Sequence, residues 1–580
     1  MKRIIDFKAT KCKHCYKCVR NCDVKAIMIR DERAEIMPER CVLCGHCLQV
    51  CPQSAKTLVS DLERVQSMVR RGEKVVVSIA PSYMGLLKHR SIGQVNTALR
   101  KLGFYDVRET SEGAAVVTAE YARLLEEGRM ENIITTCCPS VNDLIEIYYP
   151  KLTPYMAPVV SPMIAHGMML RKEYGPSAKI VFLGPCIAKK KEADDPRHSN
   201  YIDAVLNFND INRWLKDAQI DIETCEDTPF KQLDPKVNRL YPVTNGVVNS
   251  VLATEKKVDH YRKFYVHGTK NCMDFCESML RGEISGCFVE INMCTGGCVK
   301  GPTVEDEAFI SRFKIKLDME ESIPRQPADE GALERAMEGI DFHKDFMSHA
   351  PLERMPTEDQ IRQILHKTGK DRPEDELNCG ACGYATCREK AIAVFQGKAE
   401  LNMCIPYMHE KAESLANLVM ETSPNLVLIV DREMKIKEYS AVGEKFFGKT
   451  RQEALQMYLD EFIDTTDFRW VMETRNNIHG KKVVYSDYNN LATLQNIVYV
   501  EKEDVVLATL IDITREEEQS REDYEKKLET IDLAQRVIHK QMMVAQEIAG
   551  LLGETTAETK TTLTKLSEIL LGDGSESEVR

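Results

Sequence analysis

The stretch Glu290-Ile-Asn-Met-Cys-Thr-Gly-Gly-Cys-Val-Lys-Gly301 decides how the chain is read. Cys294 and Cys298 sit four apart with Gly296 and Gly297 between them. The run before them, Gly286-Cys-Phe-Val-Glu-Ile-Asn292, is apolar and β-branched and predicts a short buried strand. Two thiols therefore project from a strand end into a turn. Glycines there let the backbone approach a bulky inorganic group with no Cβ in the way. A disulfide is the simpler alternative, but a chain this rich in other thiol motifs fits a reducing compartment, where disulfides are rare. Metal or cluster ligation is the reading adopted.

Two other stretches share this architecture. Asn132-Ile-Ile-Thr-Thr-Cys-Cys-Pro139 is a strand ending in two adjacent cysteines, and Lys179-Ile-Val-Phe-Leu-Gly-Pro-Cys186 is a strand ending in one. In open α/β sheets, ligands bind outside the carboxyl ends of strands, so three distant strand-end sites can converge on one group. These segments resemble, in order, the three signatures of iron-only (FeFe) hydrogenases: T-S-C-C-P-x-W, M-P-C-x-x-K-x-x-E and E-x-M-x-C-x-G-G-C-x-x-G-G. The resemblance spans roughly residues 1 to 310. It implies an H-cluster, a 4Fe–4S cubane joined through a cysteine to a di-iron site carrying CO, cyanide and a dithiolate bridge. By the same resemblance Cys138, Cys186, Cys294 and Cys298 hold the cubane and Cys298 bridges to the di-iron site. Cys137 stands at the proton-relay position, and Pro81, Ser82 and Lys189 stand where the family holds the cyanide ligands. A lysine ammonium offers charge-assisted donors to an anionic ligand; without the resemblance, Lys189 reads as one of the solvated run Lys189-Lys190-Lys191. Glu192 and Glu290 close the list of motif residues around the site.

The departures from the signatures bear on function. Gly184 and Asn292 stand where the family has methionines packed on the di-iron site, Val141 replaces the tryptophan, and Gly301-Pro302 replaces the final glycine pair. Such changes alter polarity and space beside a metal. The relay serine of catalytic members falls at Ala157, and Gly113-Ala-Ala-Val-Val-Thr-Ala119 carries no acid in the expected phase, Glu112 and Glu120 lying nearby. An apolar residue in a proton chain removes a relay element and slows turnover.

Toward the N-terminus, Cys12-x2-Cys15-x2-Cys18-x3-Cys22 is followed by Cys41-x2-Cys44-x2-Cys47-x3-Cys51-Pro52, the doubled run of a bacterial two-cluster ferredoxin. The fourth cysteine of each run serves the other cluster, so Cys12, Cys15, Cys18 and Cys51 form one ligand set and Cys41, Cys44, Cys47 and Cys22 the second. Zinc is the alternative. Further on, Cys379-x2-Cys382-x4-Cys387-x16-Cys404 resembles the small 4Fe–4S domain of electron-transfer subunits and corrinoid proteins, again with zinc as the alternative. Cys225, Cys272, Cys276 and Cys287 read as buried apolar thiols, with Cys272 and Cys276 spaced to share a metal if not.

None of the 21 cysteines lies after Cys404, and there the texture changes. Strands are expected near 426–431, 482–486, 496–501 and 504–511, with a helix from Gly443 to Gly448 and the exit motif Asp512-Ile-Thr514. This resembles a PAS domain, expected to bind partners or relay a signal without a cofactor. After it, Tyr524, Leu528, Ile531, Ile538, Met542, Ala545, Ala549 and Leu552 recur on a 4-3 spacing that suits a two-stranded coiled coil, or else an amphipathic helix packed on its own PAS domain. A helix over 556–571 and an acidic, disordered tail complete the chain.

The expected organisation is multidomain α/β and α+β: a two-cluster ferredoxin-like domain over 1–60, a two-lobed α/β H-cluster domain over 61–365, a third Fe–S domain over 366–411, a PAS domain over 412–515 and a signalling helix over 516–580. Net charge is −12 with scattered Lys and Arg, which disfavours nucleic acid and anionic membrane as partners. The N-terminus lacks a signal-peptide core and no long apolar run exists, so a cytoplasmic protein is expected. The expected function is a hydrogen-responsive regulator holding an H-cluster and three further 4Fe–4S clusters, a homodimer signalling to a partner protein. The rival is a catalytic hydrogenase working with ferredoxin, in which the PAS domain only docks.

Overall fold

A computed structural model describes residues 3–31, 33–198, 200–231, 236–254, 260–304, 310–311, 313–316, 331–549 and 556–571. Leu552 and the acidic tail lie outside the described residues. The chain divides into two compact units, Met1–Met408 and His409–Arg580.

The first unit opens with a duplicated thiol fold. Ile5–Phe7 pairs antiparallel with Lys56–Leu58, and Ile27–Arg30 with Arg33–Ile36. The duplication is visible in the backbone: His14 and Leu43 have φ of 51° and 52°, and Lys25 and Ser54 have 48° and 46°. Tyr16 and Gly45, each following the second cysteine of its run, have 53° and 76°. Left-handed residues curl each loop back on itself, which turns closely spaced thiols toward one centre.

The core is built on two parallel sheets. The four-stranded sheet runs Asp106–Glu109, Val75–Ile79, Lys179–Leu183, Ala204–Leu206; the three-stranded sheet runs Arg262–His267, Cys287–Asn292, Ile133–Ile134. Every residue of Val75–Ile79 is buried, as an apolar run covered on both faces requires. Each expected thiol segment does follow a strand: Cys137 and Cys138 leave Ile133–Ile134, Cys186 leaves Lys179–Leu183, and Cys294 leaves Cys287–Asn292. Ala80-Pro81-Ser82 leaves Val75–Ile79 in the same way.

Helix Glu358–His366 is capped by Thr357, whose Oγ1 accepts from Gln360 N, and helix Cys387–Phe395 is capped by Thr386. Ile361, Leu365 and Ala391 join the two helices.

The second unit carries a five-stranded antiparallel sheet in the order Ile436–Tyr439, Leu426–Val430, Val505–Asp512, Leu491–Val500, Ile478–Tyr485. Burial alternates along Leu426–Val430, so one face is covered, by Phe446, Phe447, Leu459 and Phe468 among others. The two later strands are longer than the sequence suggests, because cross-strand pairing continues through residues whose side chains are only half-buried. Asp512 Oδ1 accepts from Thr514 N at 2.9 Å and Thr514 Oγ1 at 2.6 Å, while Ala492 N donates to Thr514 Oγ1 at 3.0 Å. The exit motif thus ties the start of helix Thr514–Ala549 to the sheet. On that helix Tyr524 and Leu528 are 60% and 43% exposed, and Ile531, Ile538, Met542 and Ala545 are half-buried.

No helix among the described residues is long and apolar enough to cross a membrane.

Candidate iron–sulfur and hydrogenase site

Residues from both core sheets meet at one cavity of about 370 Å³, lined by Cys138, Cys186, Cys294 and Cys298 together with Ser140, Asn292, Met293 and Pro302. The three strand-end sites do converge. Cys44 of the second ferredoxin-like run lines the same cavity, so the two thiol sets adjoin. The turn carrying Cys298 is pinned: Gly297 N donates to Cys294 O at 3.0 Å, and Gly297 has φ 89°. A Cβ on Gly297 would stand 2.6 Å from Pro242 O, so no other residue fits this turn.

Burial pushes the thiols up: Cys186 to about 11 and Cys138, Cys294 and Cys298 in the same direction, the neighbouring thiols adding to the effect at Cys186, Cys294 and Cys298. Four thiols buried together resist ionising by themselves; iron would supply the charge that holds them as thiolates.

Two further groups fit an anion-bearing cofactor. Ser82 is fully buried, and its Oγ has no hydrogen-bond partner; a buried hydroxyl left this way is costly unless something accepts from it. Pro81 precedes it, also buried. Lys189 Nζ donates to Glu192 Oε2 at 2.7 Å, Ser161 Oγ at 2.9 Å and the Cys137 carbonyl at 3.2 Å. Burial pulls the Lys189 pKa down, but Glu192, Cys186 and Cys137 outweigh it and hold an ammonium. The simple reading of the lysine run as solvated fails: Lys190 pairs with Asp61 at 2.9 Å and Lys191 with Asp143 at 2.7 Å. Glu290, buried, accepts from Asn245 N, Val247 N, Val248 N and Asn292 Nδ2 at 2.9 to 3.1 Å, so Asn292 is held toward Glu290 rather than left loose in the cavity.

The departures have structural counterparts. A Cβ on Gly184 would lie 2.7 Å from Phe182 Cε1 and 3.1 Å from Ala80 Cβ, so the Phe182 ring takes the space of the family's methionine side chain. Pro302, in place of a glycine, packs on the ferredoxin-like loop: a Cβ on Gly45 would stand 2.3 Å from Pro302 Cβ. Gly45→Ala is therefore expected to unseat that loop and cost about 2–4 kcal/mol, from overpacking and the left-handed φ of 76°. Denaturant unfolding of the holoprotein checks this; a midpoint equal to the parent's would refute the contact.

Cys137 stands at the head of the relay that the sequence reads as interrupted, and its Sγ meets Tyr121 Oη at 3.2 Å. Tyr121 Oη accepts from Thr136 N at 2.8 Å, and Thr136 Oγ1 ends on the carbonyls of Ala157 and Val159 at 3.2 and 3.0 Å. Sequence reasoning missed Tyr121, placing the missing acid at Gly113–Ala119; Ala119 is exposed.

At the third thiol site Cys379, Cys382, Cys387 and Cys404 line one cavity of about 490 Å³ with Lys370, Tyr384 and Lys390. Among the described residues no three His, Cys, Asp or Glu side chains close on a single metal ion. In the N-terminal runs, Cys22 Sγ accepts from Ala26 N at 3.3 Å and Cys51 Sγ from Ala55 N at 3.4 Å, again as matched positions. Cys225, Cys272, Cys276 and Cys287 are buried, Cys272 bonding the Asn292 carbonyl and Cys287 the Asn132 side chain, which favours the apolar-thiol reading.

Three stretches of the chain match known iron–sulfur or iron-only hydrogenase domain families. Residues 73–302 match the family described as iron only hydrogenase large subunit, C-terminal domain; residues 11–55 match the 4Fe-4S dicluster domain and residues 375–406 a putative Fe-S cluster family. The chain is 28% identical over 310 residues to iron hydrogenase 1 of Clostridium pasteurianum, covering 43% of this chain and 53% of that protein. It is 28% identical over 258 residues to the periplasmic Fe hydrogenase large subunit of Nitratidesulfovibrio vulgaris, covering 36% of this chain and 61% of that one. A solved structure of a variant of FeFe-hydrogenase HydA1 from Chlamydomonas reinhardtii is 18% identical, covers 50% of this chain and all of its own, and gives a TM-score of 0.41. The matches thus span between half and two thirds of the curated relatives' length.

Proposed function

We propose that this chain is a sensory hydrogenase: it binds H2 and slowly interconverts it with protons and electrons, and passes the redox state to a partner protein. Cys138, Cys186, Cys294 and Cys298 would hold the cubane of an H-cluster, with Cys298 bridging to the di-iron site and Ser82, Pro81 and Lys189 around its cyanide ligands. When bound, that group supplies the chemistry H2 ⇌ 2 H⁺ + 2 e⁻. Lys189 orients anionic ligands as a fixed ammonium, and Cys137 holds the proton nearest the site. The two N-terminal ligand sets and Cys379, Cys382, Cys387 and Cys404 would carry three more 4Fe–4S clusters. The sheet over 426–512 is read as a PAS domain, which takes up the signal, in a protein expected in the cytoplasm.

The observation that supports sensing over bulk catalysis is the end of the proton path. Cys137 meets a buried phenol, and the hydrogen bonds of that phenol lead on to the Thr136 amide and hydroxyl. The test is amide hydrogen exchange of the full holoprotein under H2 and under argon. Protection over 405–515 is expected to differ between the two; identical exchange there, with H2 bound at the core, would refute signalling.

The apolar seam of helix Thr514–Ala549 supports a dimer, because Tyr524 and Leu528 lie open in the single chain and Ile531, Ile538, Met542 and Ala545 are only half-buried. Deleting 516–580 is expected to give monomers by light scattering. A dimer of unchanged stability would rule the seam out.

A further inference from the structure

We infer that the thiol site of residues 379–404 is the electron acceptor of the first unit, wired to the N-terminal dicluster region through Tyr384 and held at the higher potential by the buried side chains of Lys370 and Lys390. The inference rests on the reading above that these cysteines carry a 4Fe–4S cluster.

The wiring is read from packing. Tyr384 shares one apolar cluster with Val19 and Met403, and Cys18, Cys22, Cys47 and Cys382 all pack against that cluster. Thiols of both N-terminal ligand sets and of the third site thus border the same few side chains. The contact is fitted closely. Gly383 has φ 98°, and a Cβ there would stand 2.8 Å from Val19 Cγ1. Lys25 Nζ donates to the Gly383 carbonyl at 2.7 Å and lies 5.9 Å from the Tyr384 ring centre, and Arg20 donates to the Ala381 carbonyl at 3.0 Å.

The direction is read from charge. The residues lining the third cavity include two lysines and no carboxylate. Lys370 and Lys390 are 8% and 6% exposed. Lys370 Nζ donates to Cys404 Sγ at 3.5 Å and to the Thr368 carbonyl at 2.9 Å; Lys390 Nζ donates to the Leu401 carbonyl at 3.0 Å. A cluster gains one negative charge on reduction, and fixed cations screened from water favour that state. Among the described residues the N-terminal region has one buried lysine, Lys56, and near Cys22 the half-buried Lys25 is offset by Asp23. With clusters bound at both sites, one electron would pass from the N-terminal thiol sets to the set of Cys379, Cys382, Cys387 and Cys404, the donor being oxidised and the acceptor reduced by one electron, with no bond broken and no proton moved. Cys404 directly precedes helix Ile405–Thr422, the segment by which the chain passes from the first unit to the second.

The test is a mediated redox titration of the full holoprotein followed by electron paramagnetic resonance, with iron and zinc counted in the same sample. The signal lost in Cys382→Ala is expected to have the highest midpoint of the ferredoxin-type clusters, and in the fully reduced parent its spectrum is expected to be broadened by its neighbours. Lys370→Met is expected to shift the electron partition away from this cluster at least tenfold, about 59 mV for one electron; Lys370→Arg is expected to leave it in place. If Lys370→Met assembles no cluster, Lys390→Met serves the same comparison. Zinc at this site, a midpoint at or below the N-terminal clusters, no magnetic broadening, or equal shifts in the Met and Arg variants would each overturn the inference. The titration uses an electrode rather than H2, so a protein that titrates as expected yet ignores H2 would refute the hydrogenase reading alone.

Discussion

Cys298→Ala is expected to reduce hydrogen uptake and evolution to background while the thiols of Cys12–Cys51 keep their iron. The reason is geometric. Cys298 sits on a turn held by Gly297, whose N–H bonds the Cys294 carbonyl at 3.0 Å, and by Val299, whose N–H bonds the Pro242 carbonyl at 3.3 Å. That turn cannot lend a neighbouring thiol in place of the lost one. Cys294 already lines the cavity, and Cys272, Cys276 and Cys287 are fully buried and are not among its lining residues. The fold should barely notice: removing one sulfur from a half-buried side chain costs on the order of 1 kcal/mol. Loss of activity with unchanged unfolding and retained N-terminal iron would therefore report on chemistry. Hydrogen uptake at the parent rate would remove Cys298 from the site.

Slow turnover is the second large effect, expected from the route a proton must take. Cys137 is pushed up to about 12 by burial, so it stays a thiol. Its neighbour Tyr121 is also buried, and burial, then Cys137 and Tyr241, drive the phenol well above its usual 10. Beyond it lie the Thr136 hydroxyl and two backbone carbonyls. A carbonyl accepts a hydrogen bond but does not carry a proton onward. A positioned acid or base contributes about 10²–10⁴ in rate, so a path lacking one should be slower by that order. The expected outcome is low turnover with a solvent deuterium isotope effect, changed less than about threefold by Tyr121→Phe, since a phenol that relays nothing is dispensable. A hundredfold drop in Tyr121→Phe would make the phenol a working relay. Ala157→Ser with Ala119→Glu, the repair that the signatures suggest, is expected to gain nothing, because Ala119 is exposed.

What could be read from the residues was local in kind. Cysteines two to four apart declare a shared ligand, and an apolar run ending in such a pair declares a strand end; Cys138, Cys186, Cys294 and Cys298 meet as those patterns predict. The exit motif at Asp512 and Thr514 was legible for the same reason, since its bonds span two residues. What could not be read depends on which distant side chain fills a space. Phe182 occupying the room beside Gly184, and Pro302 seated on Gly45, follow from packing that no periodicity encodes. Tyr121 lies two residues past the stretch Gly113–Ala119 to which the signatures direct attention, and Lys370 sits 34 positions before the thiol it touches. Lys189 was legible only through the family pattern; its charged neighbours alone suggested a solvated run.

Infrared spectroscopy of the matured holoprotein tests the central claim most directly. Bands of CO and cyanide bound to iron are expected, shifting when argon is replaced by H2 and disappearing in Cys298→Ala. A protein with its full complement of iron, prepared beside a matured hydrogenase that shows such bands, and itself showing none, would contradict the account.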